Sequence, residues 1–130
     1  MQITQQLALF LENRPGMLAR VCDALAAEKI NIFAISSSDT VDHIVIRLVL
    51  SDADRALRMF EERGVLVVSS EVLMIESTNK PGTLAEISHK LSKAKINIEY
   101  AYCATPPKAQ KGLLILRASN VKKALKVLNA

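Results

Sequence analysis

Two asparagines, each three residues ahead of a glycine, head the stretches of this chain best suited to chemistry. Asn13-Arg14-Pro15-Gly16-Met17-Leu18-Ala19 returns 66 residues later as Asn79-Lys80-Pro81-Gly82-Thr83-Leu84-Ala85. An Asn-x-Pro-Gly turn brings together a strand end, an unhindered glycine and the start of a helix. The helix start leaves backbone N–H groups unpaired and carries partial positive charge, so it suits a carboxylate. Glycine lets a ligand come close to the backbone, and an asparagine amide offers both a donor and an acceptor. Asn31 and Asn97 follow at the same offset, inside Lys29-Ile30-Asn31-Ile32 and Lys95-Ile96-Asn97-Ile98. Each offers a second amide close to a neighbouring unit. Such a set would recognise the carboxylate and ammonium of a small amino acid. The same residues also make ordinary turns, and asparagine is a common helix cap.

The elements that must position these groups follow from periodicity. The apolar run Gln5–Leu11 reads as a strand ending at the first turn, and Pro15 fits the first turn of the helix after it. Leu18, Val21, Cys22, Leu25 and Ala26 recur at helical spacing. Ile30–Ser37 and His43–Leu50 read as strands joined by the polar turn 38–42. Ser51 is the expected cap of a second helix, with Ala53, Ala56, Leu57 and Phe60 on its inner side and Gly64 at its end. Val65–Ser69 closes the unit. The order β-α-β-β-α-β is that of ferredoxin-like folds. The second half repeats it with Val72–Ser77, a helix carrying Leu84, Ile87 and Leu91, then Ile98–Ala104 and Leu113–Ala118. A helix capped by Ser119 follows, with Val121, Ala124, Leu125 and Leu128 on its inner side. No last strand is evident in this half, and an open edge invites pairing by another segment.

The expected class is therefore α+β: two ferredoxin-like βαββαβ units, residues 1–69 and 70–130, with antiparallel sheets and helices on one face. Across Asn13–Ala34 ten of twenty-two positions match their counterparts, which marks a duplicated folding unit. Units this small bury modest cores. Half of the residues are apolar and Trp is absent, and the third strands carry apolar residues on both faces. Both features point to a homodimer or higher oligomer. The first half has a net charge of −2 and the second of +6, but the lysines are scattered as solvated faces, so nucleic acid is not expected.

Catalytic patterns are lacking. His43 and His89 have no nucleophile or carboxylate at motif spacing. Phosphate loops, nucleophile elbows and metal-ligand clusters are missing too, so neither an enzyme nor a cofactor or metal is expected. Cys22 and Cys103 read as small buried hydrophobes. No run approaches the ~18 apolar residues of a membrane span, and a cytoplasmic protein is expected. An RNA-binding module of the same fold would carry stacking aromatics on its central strands. The third strands here carry none.

The pattern of a strand, Asn-Arg-Pro-Gly-Met-Leu-Ala, an amphipathic helix and Ile-Asn-Ile resembles the ACT domain, and the copy from Asn79 to Ile98 matches at least as well. The resemblance covers nearly the whole chain, so the expectation is a stand-alone tandem pair with no attached enzyme. It implies units paired side by side into eight-stranded sheets, with amino acids bound between units. By position, the ligand-facing residues would be Asn13, Pro15, Gly16, Met17, Leu18 and Asn31 in the first unit. In the second they would be Asn79, Pro81, Gly82, Thr83, Leu84 and Asn97. The second loop is the more polar, with Thr83 for Met17 and with Tyr100 and Tyr102 for Ala34 and Ser36, and is favoured as the occupied one. The expected role is amino-acid sensing that regulates an enzyme in trans. A ligand-free assembly module is the alternative.

Overall fold

The computed structural model describes residues 1–130. In chain order the elements are β1 (Gln2–Glu12), α1 (Met17–Ala27), β2 (Ile32–Asp39), β3 (His43–Leu50), α2 (Ala53–Glu62) and β4 (Leu66–Thr78). They continue as α3 (Thr83–Lys93), β5 (Ile98–Ala104), β6 (Lys111–Ala118) and α4 (Val121–Asn129). The chain forms two compact units, one of Gln5–Ser70 and one of Met1–Thr4 with Glu71–Ala130. The class is α+β, and each unit has the ferredoxin-like arrangement.

In the unit Gln5–Ser70 the strand order is β2-β3-β1-β4. Successive strand residues point to opposite faces, so Leu7, Leu9 and Leu11 share one face and meet Leu48, Ile46 and Ile44 across the antiparallel β1–β3 pair. Val21, Ala24 and Leu25 of α1 and Ala56, Met59 and Phe60 of α2 complete the core on that face. Burial of each leucine-sized side chain contributes about 1.5–3 kcal/mol.

In the other unit the order is β1-β4-β6-β5. Leu73 and Ile75 of β4 pair with Leu116 and Leu114 of β6, and Leu91, Ala124 and Leu128 pack on them from α3 and α4. Ile3 packs against this core. The last strand that the second half of the sequence lacks is thus supplied by Met1–Thr4. The two runs Val65–Ser69 and Val72–Ser77 are one continuous strand, β4, with no turn between them.

Several local expectations need correction. Both capping serines are displaced by one residue. The Asp52 side chain accepts from the Arg55 N–H, and that of Asn120 from the Lys123 N–H. Pro15 lies in the turn before α1, and Gly16 occupies the cap. The inner stripe of α1 is Val21, Ala24 and Leu25, whereas Leu18, Ala26 and, on α3, Leu84 are exposed. Cys22 is half-buried and Cys103 exposed, so neither is the core hydrophobe expected. The second face of the third strands is largely closed already. Val49 and Ile115 are each 1% exposed, and Val45 and Leu113 are half-buried.

Candidate functional site

The two Asn-x-Pro-Gly loops are built alike. The backbone N–H of Asn13 donates to the carbonyl of Asp42 and its Nδ2 to that of Thr40, at 3.0 and 3.2 Å. The Asn79 N–H donates to the Gln110 carbonyl at 2.9 Å, and its Nδ2 to those of Ala109 at 2.7 Å and Pro107 at 3.5 Å. Each asparagine therefore ties its loop to the tip of the neighbouring hairpin rather than capping the helix. Gly16 and Gly82 hold the cap positions at φ 87° and 90°, with no side-chain hydrogen bond to the helix start. Only glycine adopts this backbone without strain. The first turns of α1 and α3 thus keep donors that Asp52 and Asn120 satisfy on α2 and α4, a geometry suited to an anion.

Asn31 and Asn97 lie beyond the other ends of these helices. After α1, the Ile30 N–H donates to the Leu25 carbonyl and the Lys29 N–H to that of Ala26. After α3, Ile96 and Lys95 repeat the pattern with Leu91 and Ser92. The turn places Lys29 and Lys95 at φ 58° and 60°. Asn31 and Ser51 then exchange two bonds, Asn31 N–H to Ser51 Oγ at 2.8 Å and Ser51 N–H to the Asn31 carbonyl at 2.9 Å. Asn97 and Ser119 do the same at 3.1 and 2.9 Å. The backbones of both asparagines are clamped, and both residues are exposed.

An eleven-residue helix is roughly 16 Å long, so the two asparagines of one unit are not brought together. Asn79, Lys80, Thr83 and Leu84 line a cavity of about 160 Å³ whose other walls are Ser77, Thr78, Ile87, Cys103, Thr105 and Leu114. Asn97 lines a separate open groove with Ser88, Ser92, Lys95, Ile96 and Ile98. Tyr100 and Tyr102 pair with Arg117 and Ile115, on the face of β5 turned away from Cys103, and do not line the cavity. In the first loop Met17 leans on the core, while Asn13, Pro15, Gly16 and Leu18 are exposed, as are Pro81 and Gly82 in the second.

Sequence reasoning missed Ser77, Cys103 and Thr105 as cavity residues. It also missed Ser51 and Ser119 as clamps, although Ser51-Asp52 and Ser119-Asn120 recur beside the same strands. The cavity offers hydroxyls and one cation, with no carboxylate among its walls. No group of three or more His, Cys, Asp or Glu side chains is placed to hold a metal ion. No helix is long and apolar enough to cross a membrane.

The model of the ACT domain pair matches residues 1–130. Among solved structures, the chain is similar to protein BT0572 from Bacteroides thetaiotaomicron. The identity is 32% and the TM-score 0.91, with 98% of this chain and 87% of that one covered. The regulatory subunit of aspartate kinase from Thermus thermophilus, in a ligand-free form, shares 19% identity and a TM-score of 0.71 over 99% of this chain and 96% of that one. The aspartate kinase of Clostridium acetobutylicum matches 98% of this chain with 33% of its own, at 12% identity and a TM-score of 0.58. The last two likenesses concern the fold. No curated protein matches the chain. With the duplicated loops, the repeated ferredoxin-like units and a family model that runs from the first residue to the last, the chain belongs to the ACT domain pair family, whose members are typically amino-acid-binding regulatory proteins.

Proposed function

We propose that this protein is an amino-acid sensor: it binds a small amino acid or related carboxylate at its Asn-x-Pro-Gly loops and regulates an enzyme or regulator in trans. The observation that carries this reading is the pair of glycine-started, uncapped helices at Gly16 and Gly82 in a chain of this family. The sensing halves follow the repeat, residues 1–69 and 70–130, except that Met1–Thr4 complete the second and Ser70 ends the first. The ligand-facing groups come from the two sets headed by Asn13 and Asn79, with Asn31 and Asn97 facing a ligand held by a neighbouring unit. The protein works in the cytoplasm as a homodimer or higher oligomer. Exposed Phe33 and Ile35 on the edge strand β2 support self-association. Light scattering should then give at least twice the 14.3 kDa of the chain. Regulation would be linkage, the ligand favouring whichever arrangement binds it more tightly. The likeness to a kinase regulatory subunit supports a kinase-type partner of amino-acid metabolism.

A thermal-shift panel of the twenty amino acids and common 2-oxo acids tests this. A ligand at 100 times its Kd adds about 2.7 kcal/mol to the folded state. A hit lost on Asn79→Ala or Asn97→Ala is the expected result, and a flat panel at millimolar concentrations counts against the reading. One observation favours a second reading, a ligand-free assembly module. The Asn13 and Asn79 amides are already engaged by hairpin carbonyls, as a purely structural loop requires. Gly82→Val separates the two: the sensor loses its ligand, whereas the module loses only stability.

A further inference from the structure

Position by position, the helices of the second unit have lost the carboxylates of the first and gained lysines. The matching clamps at Ser51 and Ser119 and the matching caps at Asp52 and Asn120 fix the correspondence. His89 stands for Asp23, Ala94 for Glu28, Lys122 for Asp54 and Asn129 for Glu61, while Lys90 and Lys93 stand for Ala24 and Ala27. Only Glu86, for Arg20, runs the other way. Helices α3 and α4 thus carry five lysines against one glutamate, where α1 and α2 carry three arginines against four carboxylates.

Lys90, Lys93, Lys122, Lys123 and Lys126 are all exposed. Leu91, Ala124 and Leu128 are the buried residues of the two helices, so the lysines occupy the outer side of the layer. In the first unit Arg55 pairs with Glu28. At the same place Lys123 Nζ finds no carboxylate and donates to the Ala94 carbonyl at 3.3 Å. That bond sets the start of α4 beside the end of α3, next to Lys93. Only Lys90 has a carboxylate in reach, Glu86 at 3.5 Å, and so exposed a pair contributes little. Lys90 and Lys93 suit the negative end of α3. Lys122 and Lys123, however, lie in the first turn of α4, where the helix dipole disfavours cations and where α2 has Asp54. A merely solvated face has no need of cations there.

We propose that the outer side of α3 and α4 docks an acidic helix of a partner protein, whose carboxylates meet Lys90, Lys93, Lys122 and Lys126. Two helices in contact leave a furrow into which the ridge of a third can pack, and acidic residues at i and i+4 give such a helix one charged side. Other polyanions fit less well. A membrane-surface helix combines its lysines with large apolar side chains that insert. The exposed one on α3 is Leu84, in its first turn, and α4 has none. Nucleic-acid binding draws on arginine forks and stacking aromatics, and neither helix contains an arginine or an aromatic residue. The face gives the trans-acting role proposed above a place to act, and does not depend on whether the loops hold a ligand.

Fluorescence anisotropy of the full chain with a labelled, alanine-based helical peptide carrying glutamates at i and i+4 tests it. A DNA duplex and phosphatidylserine vesicles serve as competitors. The peptide should bind, and raising salt from about 50 to about 200 mM should weaken it at least about fivefold. K93A/K126A should cost about fivefold or more in affinity. K122D, which restores the Asp54 of the first unit, should also weaken binding, with a Tm at or above that of the unaltered chain because a carboxylate suits the first turn. K108A/K111A removes the same charge from the exposed hairpin between β5 and β6, and should keep affinity within about twofold. Equal losses in the two double variants mean that net charge alone holds the peptide, and overturn the proposal. Absence of binding at low salt overturns it too. Displacement by DNA or vesicles at lower concentration than by unlabelled peptide assigns the face to that polyanion and overturns the protein partner. None of these outcomes alters the amino-acid panel, so the sensor reading stands or falls separately.

Discussion

Lys29 and Lys95 hold backbone that glycine usually holds, at φ 58° and 60°, directly before the two clamped asparagines. A left-handed residue with a Cβ costs about 1–2 kcal/mol, and helix α2, which ends the same way, uses Gly64 there. Repetition of a strained residue at both sites marks a position kept for its side chain or for the geometry of Asn31 and Asn97. Lys95→Gly relieves the strain but adds about 0.4–1 kcal/mol of chain entropy to the unfolded state. A net gain of about 0.5–1 kcal/mol is expected in urea denaturation. A loss would mean that the Lys95 side chain itself stabilises the turn. The repeat Lys-Ile-Asn-Ile was plain in the sequence, but its conformation was not, because lysine gives no local signal for this region. The caps were hidden for a related reason. Ser51 and Asp52 both favour the cap position, and only the bond from the Asn31 N–H to Ser51 Oγ, twenty residues away in the chain, assigns Ser51 elsewhere.

The strand β4 shows what periodicity can and cannot reveal about an element. By sequence pattern one strand ends at Ser69 and the next starts at Val72, yet β4 runs through Ser69-Ser70-Glu71 as a single strand. Val67 packs on one core, and Leu73 and Ile75, at the same parity, on the other. Local polarity signalled a break because it says nothing about the hydrogen-bonded neighbours that hold a strand straight. The helices and the remaining strands were legible because each carries its own apolar stripe. The cavity was not, since it depends on which residues face each other across β4, β5 and β6. The hairpin β5–β6 carries a further dependence of this kind. A Cβ built on Gly112 would lie 2.0 Å from Thr105 Oγ1 and 2.9 Å from Thr105 Cβ, too close for rotation of the hydroxyl alone to relieve. Gly112→Ala should therefore cost about 1–3 kcal/mol and shift the Thr105 wall of the cavity. Combining it with Thr105→Gly should recover most of the loss. The test is a double-mutant cycle by chemical denaturation, where the two single changes should be clearly non-additive.

For the whole molecule, the decisive feature is that chain order and unit membership disagree. Residues Met1–Thr4 belong with Glu71–Ala130, so the second unit gains its last strand only when the start of the chain meets a segment about seventy residues further on. Closing so long a loop costs only slightly more than closing one half its length, which is why sequence distance is no obstacle. Ile3 provides the apolar contact that fixes this strand to its core. Ile3→Asp would place a carboxylate against that core, and burying an unpaired charge is strongly unfavourable. The expected result is a loss of about 1–3 kcal/mol, read residue by residue by amide hydrogen exchange. Protection should fall at Leu73, Ile75 and Leu116, while Ile46, Leu48 and Phe60 keep theirs if the unit Gln5–Ser70 opens independently. An equal fall in both sets would mean that the two units open as one cooperative body, because the strands β1 and β4 run through both. Ligand binding at the second loop would then stabilise the first unit as well. In either case exchange with and without ligand reports how far a binding event at Thr83 and Lys80 spreads through the chain.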